Sequence, residues 1–124
     1  MAVTVHKIER YSVQVLNKRT GEQPKASIIV HLFNDQGAGC GHAVFKAYGD
    51  LAPEPPTGDQ TAGTATAYYD IDFYQPFADI LRLEDELYWK IEWRKIGPRD
   101  EVADVSLDTK EEVIGEFFSK LLEE

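Results

Sequence analysis

The chain has 124 residues, 43% of them hydrophobic, with 22 acidic against 13 basic groups and a net charge of −9. That length suits a single domain, residues 1–124, with a core of its own, and the apolar content excludes wholesale disorder. The acidic balance argues against nucleic acid and anionic membranes as partners, because both are bound through Lys and Arg. No apolar run approaches the ~20 residues that cross a bilayer as a helix. The start, MAVTVHKIER, lacks a basic region followed by an apolar block, so no secretory signal and a cytoplasmic location are expected. A lone cysteine, Cys40, excludes an internal disulfide framework.

Residues 5–17 read as a strand, with Tyr11, Val13 and Val15 on one face and Ser12 and Gln14 on the other. Asn17–Gly21 is turn chemistry. Lys25–Phe33 is a second strand, apolar on both faces and so expected to be covered on both. Asn34–Gly41 reads as a long hairpin loop and His42–Tyr48 as a third strand. Gly49–Gly63 contains Pro53, Pro55 and Pro56 without periodicity, which predicts a flexible Pro/Gly loop.

Tyr69, Ile71 and Phe73 alternate with Asp70, Asp72 and Tyr74, the pattern of a strand ended by Gln75-Pro76. Phe77, Ile80, Leu81 and Leu83 then fall on one face of a short helix. Leu87, Trp89, Ile91 and Trp93 alternate with polar partners, the cleanest strand signal in the chain. Two large indoles on one face predict that this strand lies inside the sheet, with its apolar face on the core. Gly97–Asp100 is a turn. Val102–Leu107 reads as a short edge strand with Ala103, Val105 and Leu107 on its apolar face. Asp108 and Glu111 have the spacing of a capping box, and Val113, Ile114, Phe117, Phe118, Leu121 and Leu122 follow at helical spacing.

The expected fold is α+β: a curled, mainly antiparallel sheet of about six strands, half-barrel or sandwich-like. It carries a short inserted helix and a C-terminal amphipathic helix. The run from Phe77 to Trp89, with the Leu32–Gly37 turn before it, resembles small bacterial β-rich proteins that carry an aromatic strand, a short helix and a further strand. The resemblance implies that strand–helix–strand order and no activity.

Candidate chemistry is sparse. With a hairpin centred between Gly37 and Ala38, His31 lies across from Val44 and His42 across from Phe33. Both imidazoles then leave one face as diagonal neighbours, and Cys40 is the only further soft ligand nearby. A metal site at His31, Cys40 and His42 is not favoured, because the spacing matches no zinc module and a fourth ligand is missing. The glycine-rich Gly37–Gly41 loop leads into a strand, not a helix, so it reads as a turn and not as a phosphate cradle. Asp70 with Asp72, and the cluster of Glu84, Asp85 and Glu86, read as solvated surface. His6 reads as inert, and no cofactor is expected.

Tyr68, Tyr74 and Tyr88 fall off the apolar faces, where tyrosine suits recognition. With Phe117, Phe118 and Leu121 of the tail helix they are the candidate binding residues. The sequence therefore favours a non-enzymatic protein-interaction or self-associating domain, a homodimer formed through the tail helix or an edge strand. The alternative is a small-ligand pocket or enzyme near Tyr69 and Trp89, using His31 and His42 with an acidic residue.

Overall fold

The computed structural model describes residues 2–20 and 23–110, with side chains at 2–16 and 27–110. Among these residues the fold is mostly β, with one short helix. The strands are β1 (Ala2–Thr20), β2 (Gln23–Asn34), β3 (Gly39–Lys46), β4 (Thr57–Asp59), β5 (Thr64–Asp70), β6 (Leu87–Ile96) and β7 (Arg99–Thr109). A 3-10 turn at Ile71–Phe73 runs into α1 (Tyr74–Leu83). The strands form one mixed sheet of seven in the order β4-β5-β3-β2-β1-β6-β7. Among the described residues β3 and β5 run parallel and every other neighbouring pair is antiparallel. No helix is long and apolar enough to cross a membrane among the described residues.

The sheet curls until its two ends nearly meet, which makes it barrel-like. A Cβ built on Gly58 of β4 would sit 2.7 Å from Val102 Cγ2 of β7 and 3.1 Å from the Trp93 ring. Only glycine allows that approach. The seventh strand, β4, lies within the 49–63 segment expected as loop. It is three residues long, too short to show a period.

The interior is organised around β6. Leu87, Trp89, Ile91 and Trp93 are buried and alternate with half-exposed Tyr88, Lys90 and Glu92, as the alternation predicts. Its neighbours are β1 and β7, so the strand is internal to the sheet. Val30 and Leu32 of β2, Phe45 of β3 and Val102 of β7 belong to the same core. Small residues make room for the indoles: Ala43, Ala65 and Ala67 belong to this core, and a Cβ on Gly41 would fall 2.1 Å from Trp89 Nε1. Each enclosed indole contributes at most about 4–6 kcal/mol of apolar burial. The Trp93 N–H donates to Thr4 Oγ1 at 2.9 Å. The buried Trp89 N–H finds no acceptor among the described residues. Phe77 and Leu81 of α1 join the core, with the Phe77 ring 5.2 Å from Phe45 and 5.8 Å from Tyr69.

Three local expectations are corrected. The strand expected over Tyr69–Tyr74 ends at Asp70, because Asp70 Oδ2 accepts the Asp72 N–H and starts the 3-10 turn. Pro76 then lies in the first turn of α1, where its missing N–H costs nothing. In β7 the register shifts between Glu92 and Trp93, so Trp93 pairs with Val102 and Glu92 with Asp104. The extra residue, Ala103, puts Val102 on the same inner face as Val105 and Leu107. Asp108, expected as a helix cap, pairs with Tyr88 within β7. The expected helix beyond it, with Phe117, Phe118 and Leu121, lies outside the described residues.

β1 serves two neighbours. Residues 2–7 pair with β6, and residues 8–20 pair with β2 after a bulge between Ile8 and Arg10. Beyond the bulge β1 continues as an arm paired with β2 alone, while β2 pairs on its other side with β3 over residues 27–33.

Candidate functional site

His31 and His42 stand directly opposite each other in the β2–β3 ladder. This register differs by two residues from the expected one, and a two-residue slip keeps side chains on their face. The turn sets it. Asn34 Oδ1 accepts the N–H groups of Gln36 and Ala38, both at 3.0 Å, while Gly37 adopts φ +79°. A bulge then places Leu32 against Gly41 and Phe33 against Gly39.

The two imidazoles meet edge to face, with centroids 4.9 Å apart and planes at 89°. Their Nδ1 atoms are 2.9 Å apart, and His31 Nε2 lies 3.0 Å from Gln14 Oε1 of β1. An amide oxygen only accepts, so His31 carries its proton on Nε2 and donates it to Gln14. The His31 Nδ1 lone pair then accepts from His42 Nδ1–H. Partial burial holds His42 below the ordinary imidazole pKa, and the charge that His31 can carry adds to the shift.

Cys40 does not join the pair. It is the residue left over by the bulge, is fully buried and belongs to the core. Burial pushes its thiol up to about 11. No three His, Cys, Asp or Glu side chains are grouped for a metal among the described residues. The polar partner of the pair is the Gln14 amide, and no acidic side chain hydrogen-bonds to either imidazole among the described residues. His6 faces inward and donates from Nε2 to Gly63 O at 2.6 Å, tying β1 to the turn before β5. Asp70 serves the backbone, accepting from Tyr48 N and Asp72 N.

The candidate tyrosines do not form one platform. Tyr68 is on β5, with the Lys46 ammonium 5.6 Å from its ring centre. Tyr88 is on β6 and donates to Glu86 Oε2. Strands β3, β2 and β1 separate β5 from β6 in the sheet. Tyr74 opens α1 and packs edge to face on Phe45 at 5.4 Å, so it serves the core. Tyr69 stacks on Phe45 at 5.3 Å; burial first, and Asp104 of β7 second, raise its hydroxyl to about 12.

The feature that sequence reasoning undervalued is β1. Tyr11, Val13 and Val15 pair with Leu32, Val30 and Ile28, and directly opposed residues share a face. They therefore lie on the face that lines the core elsewhere, yet they are 37%, 41% and 70% exposed. Past Lys7, the β1 edge away from β2 carries no strand among the described residues. A cleft of about 330 Å³ opens beside Leu87, where β6 begins, lined by Arg10, Tyr11, Leu81, Asp85 and Leu87 among others. The alternation over Tyr11–Val15 was legible, but the loss of β6 as a neighbour was not.

No protein-family model matches the chain, and no curated protein or solved structure matches it either. The likeness noted at Phe77–Trp89 therefore adds nothing beyond the order of its elements.

Proposed function

We propose that the chain is a non-enzymatic, self-associating domain whose contact is the free edge of β1. The observation that carries the reading is the exposure of Tyr11, Val13 and Val15 beside an edge without a strand partner among the described residues. An open edge presents unpaired N–H and C=O groups and is a template for another strand. A second copy fits this edge better than an unrelated segment does, because the row is symmetric. Antiparallel pairing about Val13 sets Val13 against its own counterpart and Tyr11 against the counterpart of Val15, an aromatic to β-branched pair. The opposite face matches Ser12 with Gln14. Residues 11–17 carry no charge, so two chains of net charge −9 can approach here without direct repulsion.

Light scattering coupled to size exclusion tests the reading. The wild-type chain is expected to pass from monomer to dimer as concentration rises from micromolar to millimolar. V13K and V15K are expected to remain folded monomers, since both sites are exposed. A wild-type chain that stays monomeric over that range, or a V13K/V15K chain that still dimerises, overturns it.

A further inference from the structure

We propose that His31 and His42 form a surface site for a divalent copper ion, held by both Nδ1 atoms and oriented by Gln14. The arrangement has three parts, each from a different strand: His31 on β2, His42 on β3 and Gln14 on β1.

Gln14 fixes the tautomer. A histidine that ligates metal through one nitrogen usually donates the other N–H to an acceptor that holds the ring in place. His31 does this already, since its Nε2–H is given to Gln14 Oε1 at 3.0 Å. Its Nδ1 is left as a lone pair. His42 reaches the same state by moving its proton from Nδ1 to Nε2; it makes no hydrogen bond through Nε2 among the described residues, and its side chain is exposed. Neutral imidazole is the form that ligates.

Coordination preference selects the ion. Two nitrogens at about 2.0–2.1 Å from a metal are about 2.8–3.0 Å apart when they subtend a right angle, and about 3.3–3.4 Å apart in a tetrahedron. The present 2.9 Å is the ordinary length of the Nδ1–H···Nδ1 hydrogen bond; it shows that both nitrogens can reach one ion, and the right-angled geometry is part of the proposal. Square-planar or tetragonal nitrogen and oxygen sites suit Cu(II) and then Ni(II), whereas Zn(II) prefers the tetrahedron. Copper also leads the general affinity order for such ligands. With two protein nitrogens, water completes the coordination and the ion stays exchangeable. Binding replaces the Nδ1–H···Nδ1 hydrogen bond, so no buried group is left unpaired.

The test is calorimetric titration with Cu(II) and with Zn(II), together with electron paramagnetic resonance of the copper-loaded chain. It is run at a dilution where the chain is monomeric, which separates it from the association reading. The expected result is one Cu(II) per chain, nitrogen hyperfine structure from two imidazoles, and tighter binding than Zn(II). H31A and H42A each lose at least tenfold in affinity. Q14L loses about tenfold, the low end for removing an orienting partner. H6Q, checked as folded by circular dichroism, leaves binding unchanged. Failure of the wild type to bind copper, affinity unchanged in H31A and H42A, or tighter binding of Zn(II) would each overturn the assignment.

Discussion

The body of β6 and the arm of β1 present the same pattern with opposite outcomes. Leu87, Trp89, Ile91 and Trp93 alternate with polar residues, and so do Tyr11, Val13 and Val15. The first row is enclosed, with Trp89 at 0% and Trp93 at 1% exposure, while Val15 is 70% exposed. Alternation states which residues share a face; it does not supply the layer opposite. β6 lies within a curled sheet whose far wall is β2, β3 and β5. β1 runs past Leu87, the first residue of β6, and has no strand across from it on that side among the described residues.

The largest expected contrast is between truncations in the two rows. Trp89→Ala should cost about 3–5 kcal/mol, the usual range for removing a buried aromatic. Val15→Ser should stay within about 0.5 kcal/mol of wild type at a dilution below association. Urea unfolding of both variants measures the difference. Equal costs would mean that the arm is covered in solution even in the monomer.

A smaller effect separates the two indoles. Thr4→Val keeps the shape at Thr4 but leaves the Trp93 N–H without its acceptor, at a cost of about 1–3 kcal/mol. Trp89 has no such acceptor to lose among the described residues. A Thr4→Val chain as stable as wild type would show that water already serves the Trp93 N–H.

The smallest effect belongs to the outer face. His42 titrates below its ordinary 6.5 in the folded chain. Above 6.5 both folded and unfolded chains hold it neutral, and stability is at its full value. As pH falls past 6.5 the unfolded chain takes up the proton first, so stability declines towards the folded pKa. His42→Gln should flatten that part of the stability–pH curve while leaving stability above 6.5 nearly unchanged. An identical slope in the variant would assign the decline to other groups.

Much of the barrel's inner surface was legible in the alternation of β6, because a period of two needs only the residues themselves; β2, apolar on both faces, was expected to be covered on both, yet Ile29, His31 and Phe33 stay half-exposed while Val30 and Leu32 are buried. The helix carrying Phe77 and Leu81 was legible from its apolar spacing, but it begins at Tyr74, before Pro76, and leaves Leu83 79% exposed. The end of β5 was missed because Asp70 caps a turn, a local competition that the alternation of Ile71 and Phe73 masks. Val102 was placed on the wrong face because a bulge against Trp93 adds a residue, and bulges leave no periodic trace. The histidines were read as neighbours on one face, but their direct opposition depends on how Asn34 closes the turn.

What the sequence determined by itself was which side chains share a face, that β6 must be enclosed, and that the surface is acidic. Those properties follow from composition and from the two-residue period of an extended chain. Only the tertiary structure decided that β3 and β5 run parallel, that β4 closes on β7 through Gly58, and that β1 outruns its neighbour. Each of these depends on which strand lies alongside which. Pairing is a contest between distant segments for the same backbone groups, and a residue's immediate neighbours in sequence do not record who wins it.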